Sequence, residues 1–187
     1  MSTTTEPTTR TRTWEIDPAH TQVTFAVKHM MFAKVRGHFE TVGGTLEFDP
    51  DGGVEDASVD VTIDAASINT GQSDRDDHLR SADFLDVEEY PEITFESTSV
   101  RDGEGNGFTV VGDLTIHGTT REVALDAELA GRGTDPWGSE RIAFSASTEI
   151  DRRDFGLTWN QALETGGILV GEKLKISLEV QATPVSD

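Results

Sequence analysis

Cysteine is absent from all 187 residues, which removes disulfides, thiolate metal sites and cysteine nucleophiles together. Lysine is nearly absent: Lys28, Lys34, Lys173 and Lys175 are the whole set. No apolar run is long enough to span a bilayer, and the opening Met1-Ser2-Thr3-Thr4-Thr5-Glu6-Pro7-Thr8-Thr9 lacks the apolar stretch of a secretory leader. A soluble cytoplasmic protein without stable membrane insertion is the expectation. Positive charge is scarce overall, with 15 Lys and Arg against 35 Asp and Glu, a net charge of -20 and a pI near 4.4. Nucleic acid and anionic membrane surfaces would repel such a chain, whereas neutral or cationic ligands would not. The same balance fits a high-salt cytoplasm as well as ordinary acidic solubility.

What is present is rhythm. From Thr21 onward Val23, Phe25, Val27 and His29 share one phase, against Gln22, Thr24, Ala26 and Lys28, which is the pattern of a half-buried strand. Met30-Met31-Phe32 interrupts it with exposed-looking apolar bulk before Val35, Gly37 and Phe39 resume opposite Arg36 and His38. Gly43-Gly44 permits a bend or bulge, and Asp49-Pro50-Asp51-Gly52-Gly53 is a turn. Val59, Val61 and Ile63 alternate next, and later Ile93 and Phe95 open another strand. Phe108, Val110, Gly112, Leu114 and Ile116 share a face, as do Val123, Leu125, Ala127 and Leu129, with a tight turn at Gly118 between them. Ile142, Phe144, Ala146 and Ile150 follow, then Leu174, Ile176, Leu178 and Val180.

One long stretch, Ile68 to Leu85, has no strand rhythm. Ser73 with Asp76 reads as a capping box, Asp74, Asp76 and Asp77 suit the positive end of a helix dipole, and Asp76 with Arg80 is a favourable i,i+4 pair. A short helix over 73–82 is predicted, with Leu79 and Ala82 almost its only apolar residues. It is expected to lie as a lid across something made of strands.

Eight to ten single-sided strands and one helix indicate an all-β antiparallel barrel of about eight strands, forming one domain over residues 14–183 behind a disordered polar tail, 1–13. Inward positions mix Phe with Gly, Ala and Val, so the barrel is expected to enclose a ligand rather than to be filled by side chains. His20, His29, His38, His78 and His117 show no metal-ligand spacing, and no metal or cofactor is expected. An acid/base pair of His78 or His20 with Asp77 or Asp83 has no nucleophile elbow or paired carboxylates beside it, so no catalytic residue is assigned. The alternatives are an enzyme acting on a small apolar substrate in the barrel, and a filled barrel serving as a stress-related interaction module.

Asp17-Pro18-Ala19-His20-Thr21, His29-Met30-Met31-Phe32, Val35-Arg36-Gly37-His38-Phe39, Arg75-Asp76-Asp77-His78-Leu79-Arg80-Ser81-Ala82-Asp83-Phe84, Gly112-Asp113-Leu114-Thr115-Ile116-His117-Gly118 and Arg153-Asp154-Phe155-Gly156 occur in an order that resembles the YceI-like family, from about Trp14 to Ala182. The resemblance implies a lipocalin-like barrel that holds a polyisoprenoid, an isoprenoid quinone or another long-chain amphiphile, without catalysis, in a family linked to stress responses. Many members carry a secretory signal, which is not seen here. The inward phase then selects Val23, Phe25, Val27, His29, Phe32, Phe39, Phe95, Phe108, Leu114 and Phe144 as ligand-binding candidates. A homodimer is left open.

Overall fold

The computed structural model describes residues 11–164 and 166–186. Eleven strands lie in one antiparallel sheet: β1 (Arg12–Ile16), β2 (Gln22–His29), β3 (Ala33–Phe39), β4 (Val42–Phe48), β5 (Ser58–Asp64), β6 (Ile68–Asn69), β7 (Glu92–Asp102), β8 (Gly107–Ile116), β9 (Thr119–Thr134), β10 (Glu140–Asp151) and β11 (Val170–Pro184). They make only eight staves, because three long strands are interrupted. β2 and then β1 pair along the same edge of β11, while β3 pairs β2 and β4 pairs β1. β6 and β5 continue that relation on the next stave. From there β5, β7, β8, β9, β10 and β11 follow as neighbours, and the β1–β11 pairing closes the ring. Closure removes most of the open edge, although β3 meets β6 at His38 and Phe39 alone and β9 meets β10 from Asp126 onward. The strand rhythm therefore specifies a closed eight-stave antiparallel barrel with one helix.

The interruptions are held by local chemistry. Between β1 and β2 the Asp17 carboxylate accepts from the Ala19 N–H across a short 3-10 turn, Pro18–His20. Between β5 and β6 a second turn, Ala65–Ser67, is capped by Asp64, and Ser67 accepts from the backbone N–H groups of Glu40 and Thr41 at the facing break. Backbone donors left over by the broken ladders thus find partners, as buried or half-buried amides must. The bend expected at Gly43-Gly44 is not a bulge, since β4 keeps its register with β5 throughout. Gly44 has φ 149°, and a Cβ there would collide with the Asp60 carbonyl. Glycine allows the close approach of two strands.

Barrel pairing begins at Arg12, so Arg12 and Thr13 belong to β1 and not to the expected tail; residues 1–10 lie outside the described residues. The helix α1 (Ser73–Arg80) stops two residues short of the predicted Ala82. Its capping box is also corrected: Gln72 is the N-cap and Ser73 makes no cap bond. Asp76 instead turns back to accept from the N–H and hydroxyl of Thr70, at 2.9 and 2.6 Å. Arg75 donates to the Thr70 hydroxyl and carbonyl, and Arg80 to the carbonyls of Ala66 and Ile68. Arg80 pairs with Asp77 rather than with Asp76. The charges of α1 bind it to the end of β6, where a stronger local partner displaced the cap.

Candidate functional site

Alternation along the staves puts every second side chain inside, and these do not fill the interior. An apolar cavity of about 250 Å³ runs from the Asp49–Ala57 connection at one end of the barrel to α1 at the other. Val54, Ala57, Phe48 and Phe108 line its first end; Leu79, Phe84, Leu85 and Leu157 line the second. Phe48 and Phe108 each meet Phe144 edge-on, at 5.8 and 5.9 Å. Beyond Phe48, the buried Trp14, Ile142 and Ala182 plug that end.

Two inward glycines explain how large rings and open space coexist. Gly37 faces Phe25 across the β2–β3 ladder, and a Cβ on it would strike the Phe25 ring. A Cβ on Gly112 would lie 2.6 Å from the Phe95 ring. Each ring lies against the wall over a missing side chain, and the axis of the barrel stays clear.

Of the ten residues selected by phase, Val23, Phe25, Val27, Phe39, Phe95, Phe108, Leu114 and Phe144 line this cavity. Two do not. Phe32 sits in the three-residue β2–β3 turn with 82% of its surface exposed, because the alternation that carried Phe25 and Val27 inward stops at the end of β2. His29 is the last residue of β2, opposite Ala33 and Val170 at the rim, one inward position beyond the lining.

Sequence reasoning missed Phe84 and Leu85, which follow α1 where no period operates; of Arg36, Arg152 and Arg153, the arginines that could gather at the barrel mouth and suit a pyrophosphate head, Arg152 alone lines the cavity. A signal for Arg152 existed. It continues the inward phase of Phe144, Ala146, Thr148 and Ile150 along β10. Its side chain is buried at the α1 end, donating to the carbonyls of Leu157 (2.6 Å), Gly171 (2.8 Å), Trp159 (2.9 Å) and Val170 (3.2 Å). Burial pushes its pKa below the ordinary guanidinium value, while Glu172 and Asp151 act in the opposite direction. It remains charged. Four of its five N–H donors are engaged, and it is the one charged side chain among the lining residues.

The acid/base possibility has a geometric counterpart: His78 Nε2 lies 2.9 Å from Asp83. Both are substantially exposed, and neither lines the cavity. His78 packs edge-on against Trp159 and Phe84, at 4.7 and 5.1 Å, so it helps to seal the end of the barrel. His20 pairs with Asp17 at the opposite end, 2.7 Å away. Among the described residues no three of His, Asp and Glu converge as metal ligands, and no helix is long and apolar enough to cross a membrane.

The model of the YceI-like domain matches residues 14–182. The chain belongs to this family. A UPF0312 protein of Vibrio parahaemolyticus is 41% identical over 140 residues, which cover 74% of this chain and 73% of that one. Among solved structures, BcnA of Burkholderia cenocepacia superimposes with a TM-score of 0.78 at 27% identity, covering 90% of this chain and 99% of its own. A polyisoprenoid-binding domain from Saccharophagus degradans, at 15% identity, shares the fold with a TM-score of 0.64, covering 92% and 98%. The family's barrel is thus common to chains that differ widely in sequence.

Proposed function

We propose that this protein binds, stores or carries one isoprenoid-chain lipid inside the barrel, without catalysis. The observation that carries the reading is the continuous apolar cavity with a single charged group at one end. Membership of the YceI-like family and the fold shared with a polyisoprenoid-binding domain support it. Each CH₂ moved from water into the cavity contributes roughly 0.8 kcal/mol, so ten of them supply about 8 kcal/mol, near micromolar affinity before ordering costs.

Arg152 sets the end at which a polar head would lie. Its donors are mostly taken by carbonyls, leaving one N–H. A neutral head with a carbonyl or hydroxyl acceptor, quinone-like or alcohol, matches one donor; a pyrophosphate would need several cations, and the overall charge of -20 opposes it. In this reading the carrier works in the cytoplasm, which cell fractionation checks. The filled-barrel alternative requires an interior without the observed space.

Native mass spectrometry of the protein as purified, followed by organic extraction, tests the proposal. Near-stoichiometric isoprenoid lipid, with geranylgeraniol competing better than geranylgeranyl pyrophosphate, is the expected result. An empty barrel that takes up neither probe would refute it.

A further inference from the structure

We propose that the β2–β3 turn is a docking tip for an anionic phospholipid bilayer, with Met30-Met31-Phe32 entering the headgroup boundary and Lys28, Lys34 and Arg36 held at the surface behind it. The turn is the one place among the described residues where large hydrophobics are exposed in sequence: Met30 by 43%, Met31 by 55% and Phe32 by 82%. The other exposed large side chains, Trp137 and Val185, stand singly at the far end of the barrel. Scattered exposure needs no explanation, but a contiguous apolar tip does.

The backbone makes the same point independently. Met30 and Met31 hold φ of 52° and 70°, consecutive left-handed residues in a turn where Asn and Gly are the ordinary solution. The β8–β9 turn has two such residues as well, His117 and Gly118, and there the chain uses a glycine. Met31 covers Gly167 with part of its side chain, but the exposed remainder of Met30 and Met31 gains nothing from the fold for that strain, and its bulk is available to something outside it.

Charge chooses the partner. All four lysines of this acidic chain fall on β2, β3 and β11, three adjacent staves. Lys28 and Lys34 face each other across the ladder next to the turn, and Arg36 follows on the same outer face, opposite Ala26, whose other neighbour is Lys175. Like charges directly opposite on a sheet oppose pairing. Lys28, Lys34 and Arg36 make no ion pair among the described residues, whereas Arg12, Arg80, Arg132, Arg141 and Arg153 all do. Acids lie closer to the β11 side of the patch: Lys173 is 3.8 Å from Asp151, and Lys175 is opposite Glu149. An apolar tip ringed by uncompensated cations fits an anionic bilayer surface. The acidic residues elsewhere, those of α1 at the same end among them, are repelled by that surface, so the attraction rests on the tip and its three cations.

The tip adjoins the cavity end covered by α1. Met30 N–H donates to the Leu169 carbonyl, and the Met31 side chain lies over Gly167. That segment leads back to Trp159, which packs on Phe84 of the lining. A docked tip therefore sets the α1 end of the cavity beside the membrane, where a lipid tail would enter or leave.

Co-sedimentation of the full chain with vesicles tests this, using pure phosphatidylcholine and phosphatidylcholine enriched in phosphatidylglycerol. Binding to the enriched vesicles alone is expected, weakening between about 0.1 M and about 1 M KCl as screening shortens the field. Each cation at the surface is worth about five-fold in partitioning, so Lys28→Gln, Lys34→Gln and Arg36→Gln together should lower binding roughly a hundred-fold. Phe32→Ser should lower it at least several-fold, while Trp137→Ser at the far end leaves it unchanged; circular dichroism verifies that each variant is folded. Absence of binding to the enriched vesicles, binding that ignores the tip variants, or a dimer that Phe32→Ser dissolves in lipid-free buffer would overturn the proposal. Docking is read whatever the barrel holds. Extracting the same samples separates the two readings, since docking with an empty barrel refutes the carrier function alone, and cargo without docking refutes the tip alone.

Discussion

Stripping the barrel should cost the protein a large part of its stability. The cavity has about 250 Å³ of open volume. At about 24 cal/mol per Å³ for space left in an apolar core, an empty barrel lies about 6 kcal/mol above one whose interior is filled as well as a core. Whole domains are stable by only about 5–15 kcal/mol. The walls cannot simply fall inward, because a closed ladder of eight staves fixes the circumference and the Phe25 and Phe95 rings already lie against it. A chain of this size shifts its Tm by about 2–4 °C per kcal/mol, so about 12 °C or more should separate stripped from loaded protein, reduced somewhat by relaxation. The assay is thermal unfolding of protein refolded after organic extraction, with and without geranylgeraniol. Its Tm should climb with the logarithm of added geranylgeraniol, and glycerol should have no such effect. A stripped barrel melting within about 2 °C of the loaded one and indifferent to geranylgeraniol would refute the reasoning.

Phe144→Trp adds bulk where Phe48 and Phe108 meet and should lower lipid occupancy by mass spectrometry while the fold survives; unchanged occupancy would argue against a ligand reaching that end. Leu79→Ala should shift Tm by only a few degrees but speed lipid loss, because the side chain borders open space; Ile142→Ala, in the end plug, should cost the 2–5 kcal/mol of a packed core site. Equal melting losses would make α1 part of the core rather than a lid. Arg141 holds Asp17, and Arg153 holds Asp151, at a pKa of about 2, below the ordinary 3.8, so the stability they provide is complete above about pH 4 and lost as pH falls toward 2. Asp17→Asn should flatten that acid limb of the unfolding free energy, read from urea titrations, by about 1 kcal/mol, the low figure reflecting screening at a partly exposed pair. Finally, with 35 acids against 15 bases, Tm should rise strongly between about 0.1 and 1 M KCl, and a further rise beyond 1 M would mark adaptation to high salt. A flat curve would contradict both.

The barrel was legible because each stave declares its inward face by a period of two, and that period also located eight of the cavity-lining residues. It failed where a stave ends. Phe32 is aromatic and lies close to an inward run, yet the turn that follows His29 carries it into solvent. Phe84 and Leu85 belong to a segment with no period, so only the docking of α1 places them. The capping box at Ser73 failed for another reason: Asp76 had a partner outside the helix, Thr70, that local pattern reasoning does not weigh. Arg152 is in phase, but its residue type suggests a cation at the mouth rather than a lining residue, because a charged side chain is stable inside an apolar barrel only where partners receive it, as four carbonyls do here.

Net charge, averaged over the chain, misses what the fold does with it. Thirty-five acids spread along the sequence make the surface repulsive to anionic bilayers, yet the fold gathers all four lysines on three neighbouring staves. Salt screens both features at once. Near 1 M KCl the Debye length is about 3 Å, so the general repulsion and the attraction at Lys28, Lys34 and Arg36 are both largely screened, and docking would then depend on Phe32, Met31 and Met30, whose burial salt strengthens. At about 0.1 M the cations would instead dominate the approach and fix its orientation. The relative losses in Phe32→Ser and in the Gln triple variant, measured across that range, show which regime the tip is built for. A chain suited to high salt should lose more from Phe32→Ser, whereas one suited to dilute cytoplasm should lose more from the missing cations.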